Sequence, residues 1–189
     1  MELAMPAGTI TEALIAINAG ADAIYFGMKE FSARKGAGNF SIEDMRRIRK
    51  YAEERDRRIY ITINTLIDDK DIPRAYDLLR EIEKYGCDGI IVQDLGIARI
   101  IRNDFPSLPL HASTQLAVHT EAGVKALQKL GFTRVVLARE LSLKEIERIR
   151  KACPDVELKV FIHGALCYGF SGLCMASHAI TGRSANEGA

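Results

Sequence analysis

The sequence carries no excess of charge of either sign: 26 lysines and arginines face 25 aspartates and glutamates, a net charge of +1 over 189 residues. That excludes a global field drawing the chain onto nucleic acid or an anionic membrane, so any contact with RNA has to be local. No apolar run approaches the roughly 18 to 20 residues that a spanning helix needs. Residues 1–20 lack the basic start and apolar stretch of a secretory signal, which points to the cytoplasm. Cysteine is scarce. The four present, in a chain without an export signal, read as thiols or metal ligands rather than disulfides, because the cytosol is reducing. Two catalytic signatures are missing as well. There is no His-Glu-x-x-His zinc motif and no Ser-His-Asp order with a nucleophile elbow, so peptide hydrolysis lacks an identifiable nucleophile or metal-bound water.

What is present is a repeated phrase. Short β-rich runs at Leu3 to Ala7, Ala23 to Gly27, Arg58 to Asn64, Gly89 to Asp94, Pro109 to Ser113, Arg134 to Arg139 and Glu157 to His163 alternate with helical segments. Such alternation implies a parallel sheet. Thr9 with Glu12, Ser41 with Asp44 and Ser142 with Glu145 are hydroxyl-x-x-acid patterns, whose side chains satisfy free amides in a first helical turn. Gly20, Gly86 and Gly131 follow apolar-periodic stretches and precede strands, where a left-handed residue ends a helix at little cost. Ile42, Met45, Ile48 and Ala52, and likewise Leu143, Ile146, Ile149 and Cys153, repeat at helical spacing and predict one buried stripe each. With no hairpin turn to reverse direction, the phrase favours a (β/α) barrel of TIM type, class α/β, over an open doubly wound sheet. Seven of the eight units are counted, in a single incomplete barrel domain over residues 1–189, and the polar stretch Gly182 to Ala189 reads as a cut.

Barrel enzymes build their sites at the C-terminal ends of the strands. Here those positions hold Arg34 in the segment after strand two, Asn64 ending strand three, Gln93 and Asp94 ending strand four, and Ser113 and Gln115 around the end of strand five. His111 is expected at the same mouth, Arg139 and Glu140 end strand six, and His163 ends strand seven; these four are the catalytic candidates. Alternation along a strand points Tyr60, Thr62 and Asn64, or His111 and Ser113, to one side, taken as the barrel interior. The plainer alternatives are helix caps for Asn64 and Ser113, and a rim ion pair for Arg139 with Glu140. The basic run Arg46, Arg47, Arg49, Lys50, Arg55, Arg57 and Arg58 is interleaved with Glu53, Glu54 and Asp56 and reads as a solvated helix face.

The cysteines separate by topology. Cys87 and Cys153 fall near the N-terminal face and read as buried thiols, whereas Cys167 and Cys174 follow strand seven at the opposite face. A strand of about six residues spans roughly 20 Å, so one metal cannot take all four. The pattern His163-x3-Cys167-x6-Cys174-x3-His178 suits zinc, or the two cysteines are half of a four-cysteine iron–sulfur site, or they are unliganded thiols.

Several phrases together resemble the peptidase U32 family along the whole chain. They are Leu3-Ala-Met-Pro-Ala-Gly8, Asn18-Ala-Gly-Ala-Asp22, Lys29-Glu-Phe-Ser-Ala-Arg34, Asn39-Phe40, Asn64-Thr-Leu66, Val92-Gln-Asp94, Leu110-His-Ala-Ser-Thr-Gln115 and Ala138-Arg-Glu-Leu-Ser142. The most specific are Phe161-Ile-His-Gly-Ala-Leu-Cys167 with Ser171-Gly-Leu-Cys174, followed by Thr181-Gly-Arg-Ser-Ala-Asn186. Lys159 stands where that family usually carries an acid. The resemblance implies a barrel enzyme belonging to a longer protein. Some members are described as collagenase-like proteases, but the better-understood ones hydroxylate an rRNA base, a tRNA uridine or a ubiquinone precursor without molecular oxygen. It further implies a 4Fe–4S cluster held by Cys167, Cys174 and two cysteines beyond residue 189, with prephenate as hydroxyl donor to an RNA or small aromatic substrate. Iron–sulfur assembly or electron-donor proteins would be partners. Arg34, Arg139 and Arg183 are then candidates to clamp a dicarboxylate, and Asn186 joins the substrate-binding set. Zinc remains the alternative cofactor, in a binding module, and proteolysis the alternative activity.

Overall fold

Hydroxyl and carboxylate caps set where the helices start, and the helices set the spacing of the strands. In the computed structural model, which describes residues 1–33, 38–164 and 171, the Thr9 hydroxyl accepts the Glu12 amide at the start of helix α1 (Ile10–Asn18). Ser41 and Asp44 form a reciprocal capping box on α2 (Ile42–Glu53), and Ser142 with Glu145 does the same on α6 (Leu143–Ala152). Asp94 and Thr120 cap α4 (Leu95–Asp104) and α5 (Glu121–Lys129), and α3 (Ile72–Tyr85) opens with Pro73 in its first turn. Gly20, Gly86 and Gly131 all have positive φ, as their places after helix ends predict.

Between the helices run β1 (Ala4–Pro6), β2 (Ala23–Gly27), β3 (Arg58–Ile63), β4 (Gly89–Val92), β5 (Leu110–Ala112), β6 (Arg134–Val136) and β7 (Glu157–Lys159). All pair parallel to their sequence neighbours, in the order β1-β2-β3-β4-β5-β6-β7. The strands are shorter at their C-terminal ends than the apolar pattern predicts, because the following residues turn into caps and loops. The main core lies between the sheet and the helices, around Ile24, Phe26, Ile61, Val92, Leu110 and Val135. On the other side of the sheet a smaller cluster forms from Ala23, Tyr60 and Ile91 with Tyr25 against it.

That second side is the inside of a curl. Glu2, just before β1, bonds Arg134 of β6 at 2.8 Å, and the Lys159 ammonium of β7 lies 4.3 Å from the centre of the Tyr25 ring of β2. Contacts between strands so far apart in sheet order require the sheet to roll toward closure, as in a TIM-type half-barrel. The apolar stripe of α2 is buried at Met45, Ile48 and Ala52 as predicted. That of α6 is not buried throughout: Leu143, in the first turn, is 84% exposed, and the stripe begins at Ile146 and continues through Ile149 to Cys153. Among the described residues no helix is long and apolar enough to cross a membrane.

Candidate functional site at the strand C-termini

The C-terminal ends of β2 to β5 carry a layer of short polar side chains, and most of them hydrogen-bond to backbone amides of nearby loops and turns. The Asn64 side-chain oxygen accepts the Ala33 amide at 3.1 Å, and the Asn64 amide donates to the Phe31 carbonyl. Asn64 thereby ties the end of β3 to the loop after β2. Beside it the buried hydroxyls of Ser32 and Thr62 approach each other at 3.5 Å, and Ser32 fills the space left by Gly27, which has no Cβ. Asp94 accepts the Ile97 amide as the α4 cap and the Ile67 amide from the neighbouring loop. Ser113 caps a turn of 3-10 helix by accepting the Gln115 amide, while its hydroxyl donates to the Gln115 side-chain oxygen. Asn64, Asp94 and Ser113 therefore have structural duties at the mouth. Gln93 differs, because its Oε1 is buried there without a hydrogen-bond partner among the described residues.

The chain after β6 supplies a second feature. Leu137 and Ala138 donate to the carbonyls of Lys159 and Val118, and Arg139 then donates its amide to the Ser171 hydroxyl at 3.0 Å. Ser171 returns its own amide to Glu140 Oε1 at 2.7 Å. Burial would raise the Glu140 carboxyl pKa, but the hydrogen bonds it accepts, that of the Ser171 amide foremost, outweigh burial and hold it below the ordinary value. The Arg139 guanidinium lies over the Phe161 ring at 4.2 Å, and His163 is exposed at the same end. Ser171 is 1% exposed. Sequence alone gave it no role of its own; its signal was its place in the phrase Ser171-Gly-Leu-Cys174. Arg34, Cys167, Cys174, His178, Arg183 and Asn186 lie outside the described residues.

His111 is not at this mouth. It occupies the middle of the three-residue β5, turned inward as alternation predicts, but its ring packs at 5.1 Å from Tyr60 and over Gly89. A side chain on Gly89 would collide with it, so the glycine of β4 is what lets the imidazole lie low in the barrel. His111 lines a cavity of about 420 Å³ together with Arg58, Arg134 and Glu157, the first residues of their strands, which places it at the N-terminal end. Burial, with Arg134 and Lys159 adding positive charge, pushes its pKa down to about 3. The structure thus places His111 in the lower interior layer, as a neutral imidazole, rather than at the mouth where the sequence puts it.

That lower layer is a charge network. Glu2 accepts from the Tyr60 hydroxyl at 2.6 Å, Arg58 at 2.9 Å and Arg134 at 2.8 Å, and Arg134 also reaches Glu157. Lys159 stands over the rings of Tyr25 and Tyr60, and burial, with Arg134, lowers its pKa to about 8. Cys87 and Cys153 are free thiols near this end, and burial lifts the Cys87 pKa to about 12. Outside the barrel the basic run is paired, Arg46 and Arg47 with Glu43, Arg49 with Glu53 and Asp88, Arg57 with Asp22. The part of the run on α2 is the ion-paired helix face that its acidic neighbours predict, whereas Arg58 begins β3 and joins the lower layer through Glu2.

The model of peptidase family U32 matches residues 8–189. The chain belongs to peptidase family U32. Along its whole length this U32 chain is 43% identical to the 23S rRNA 5-hydroxycytidine C2501 synthase of Escherichia coli, covering 28% of that protein. It is 37% identical to the tRNA hydroxylation protein P of the same organism over 99% of the chain and 41% of the relative. The chain thus spans less than half the length of both. Among solved structures, the U32 peptidase Mk0906 superposes with a TM-score of 0.73 at 17% identity, covering 89% of this chain and 71% of that one. That likeness concerns the fold.

Proposed function

We propose that this U32 chain is the substrate-binding barrel of an iron–sulfur enzyme that hydroxylates an RNA base without molecular oxygen. The observation that carries the proposal is the 43% identity, end to end, with a protein named for making 5-hydroxycytidine in 23S rRNA. The tRNA hydroxylation protein supports the same class of substrate. The net charge of +1 agrees with RNA contact confined to one local surface.

Among the described residues no group of three or more His, Cys, Asp or Glu could hold a metal ion. The fit therefore rests on the donor chemistry of Cys167 and Cys174, two thiols of the kind that ligate iron–sulfur clusters. A bound 4Fe–4S cluster would supply electron transfer or Lewis acidity. The chain's own residues do the binding and orienting. Gln93 offers a buried acceptor to a substrate N–H, and an acceptor left unpaired in the interior costs about 1–3 kcal/mol until it is met. Arg139, stacked on Phe161, projects a planar guanidinium suited to a carboxylate. With Arg34 and Arg183 it forms the proposed clamp for a dicarboxylate hydroxyl donor such as prephenate. Gln115 and Asn186 complete the proposed binding set, and the exposed His163 is the group placed to move a proton.

The full-length gene product, purified without oxygen, is expected to be brown and to hold about four iron atoms per chain. Changing Arg34, Arg139 and Arg183 together to Ala should abolish hydroxylation while leaving that iron in place. Colourless protein holding one zinc would contradict the cluster, and normal hydroxylation by the triple variant would contradict the clamp.

A further inference from the structure

Gln93 follows the last residue of β4, and alternation sets its side. Ile90 and Val92 belong to the main core between sheet and helices, whereas Ile91 faces the inside of the curl. Gln93, two residues on from Ile91, turns the same way. Its Oε1 is buried there with no hydrogen-bond partner among the described residues. The hydroxyls of the neighbouring strands do not supply one, because their hydrogens are spent. The Thr62 hydroxyl of β3 donates to the Phe26 carbonyl at 3.3 Å, and the Ser113 hydroxyl after β5 donates to the Gln115 side chain at 3.3 Å. Buried polar groups are normally paired, so an acceptor left open at the end of a barrel where ligands bind points to a donor that arrives with the ligand. The loops around it are braced. The Asp94 carboxylate accepts the Ile67 amide at 3.2 Å and the Ile97 amide at 2.9 Å, which ties the loop after β3 to the start of α4. Leu66 and Leu95, on those two segments, are large apolar side chains left 58% and 51% exposed. An unstacked base needs both features, apolar surface to lie against and a polar group to read its edge.

We infer that Gln93 determines which base the mouth accepts, its Oε1 taking a hydrogen from an exocyclic amino group while its Nε2 donates to the ring nitrogen beside that group. Glutamine pairs in this two-point way with the amino group and ring nitrogen of adenine in DNA recognition, and cytosine carries the same donor beside an acceptor. Uracil has a carbonyl oxygen in place of the amino group. Because the buried atom of Gln93 is its oxygen, that carbonyl would meet another acceptor. The inference rests on the RNA-hydroxylation reading only for the presence of a base at this mouth.

The test uses the full-length gene product as parent, Gln93→Leu and Gln93→Glu, with cytidine, adenosine and uridine as probes and their dissociation constants measured by saturation-transfer NMR. The parent should bind cytidine or adenosine about tenfold more tightly than uridine, and the tighter of the two identifies the base. Gln93→Leu removes the acceptor and should bring the favoured nucleoside down to the level of uridine. Gln93→Glu keeps an oxygen that accepts, and should still favour the amino-bearing nucleoside. Replacing an unmet buried acceptor with an apolar side chain of similar size removes a desolvation cost, so Gln93→Leu should melt no lower than the parent. A glutamine with a structural duty would instead lower the melting temperature when lost. Equal binding of the three nucleosides by the parent, a preference unchanged in Gln93→Leu, or a lowered melting temperature in that variant overturns the inference. Identical nucleoside profiles in RNA from cells with and without the gene would overturn the hydroxylation reading instead, and the binding preference would still decide the role of Gln93.

Discussion

His111 and Lys159 show what it costs to place titratable groups inside a curled sheet. The folded protein holds His111 neutral, with its pKa lowered from 6.5 to about 3. Between those values the unfolded chain binds the proton and the folded one does not. Stability is therefore full above pH 6.5 and is lost as the pH falls toward 3, at a rate approaching about 1.4 kcal/mol per pH unit. Replacing His111 with Gln should shrink the stability difference between pH 7 and pH 5 by about 1 to 2 kcal/mol, measured by denaturant unfolding at both pH values. An unchanged difference would contradict a buried neutral imidazole. Lys159 works in the opposite part of the scale: its pKa of about 8 makes its charge a burden below pH 8, relieved as the pH rises toward 10.5. At this scale the sequence was informative about side and silent about depth. Alternation put His111 inside, but whether it faced the mouth depended on Gly89 one strand away. Asn64, Asp94 and Ser113 stood where ligand groups stand, but the same oxygen that could bind a substrate can cap a helix or tie a loop, and each has a backbone amide to satisfy.

Elements were more legible than residues, because their signals are local. A hydroxyl three residues before an acid marked the starts of α1, α2 and α6, and a glycine at positive φ followed α1, α3 and α5. The strand ends were less legible, since polar residues after a short strand pair with loops rather than with the next strand. The contact between β4 and β5 gives the sharpest test of how the elements pack. A methyl group at Gly89 would run into the His111 ring, so Gly89→Ala should cost about 1–3 kcal/mol from overpacking. Combining it with His111→Ala should recover most of the cost specific to that clash, so that the two changes are strongly non-additive in a double-mutant cycle. Simple additivity would place the ring elsewhere.

For the whole molecule, the barrel class was written in the repeated strand and helix phrase, but the curl was not. It depends on partners such as Glu2 and Arg134, 132 residues apart, whose pairing leaves no local mark. The charged lower layer and the polar mouth then divide the barrel into an end that holds the strands together and an end where chemistry is proposed. Only the mouth carries Gln93, Arg139, Glu140 and Ser171. The proposal that this mouth serves RNA hydroxylation is tested most directly by the RNA of cells with and without the gene. Digested to nucleosides and compared by mass spectrometry, RNA from cells without the gene should lose one nucleoside that is heavier than its parent nucleoside by a single oxygen, and the gene restored should return it. Identical nucleoside profiles in the two RNAs would contradict the account.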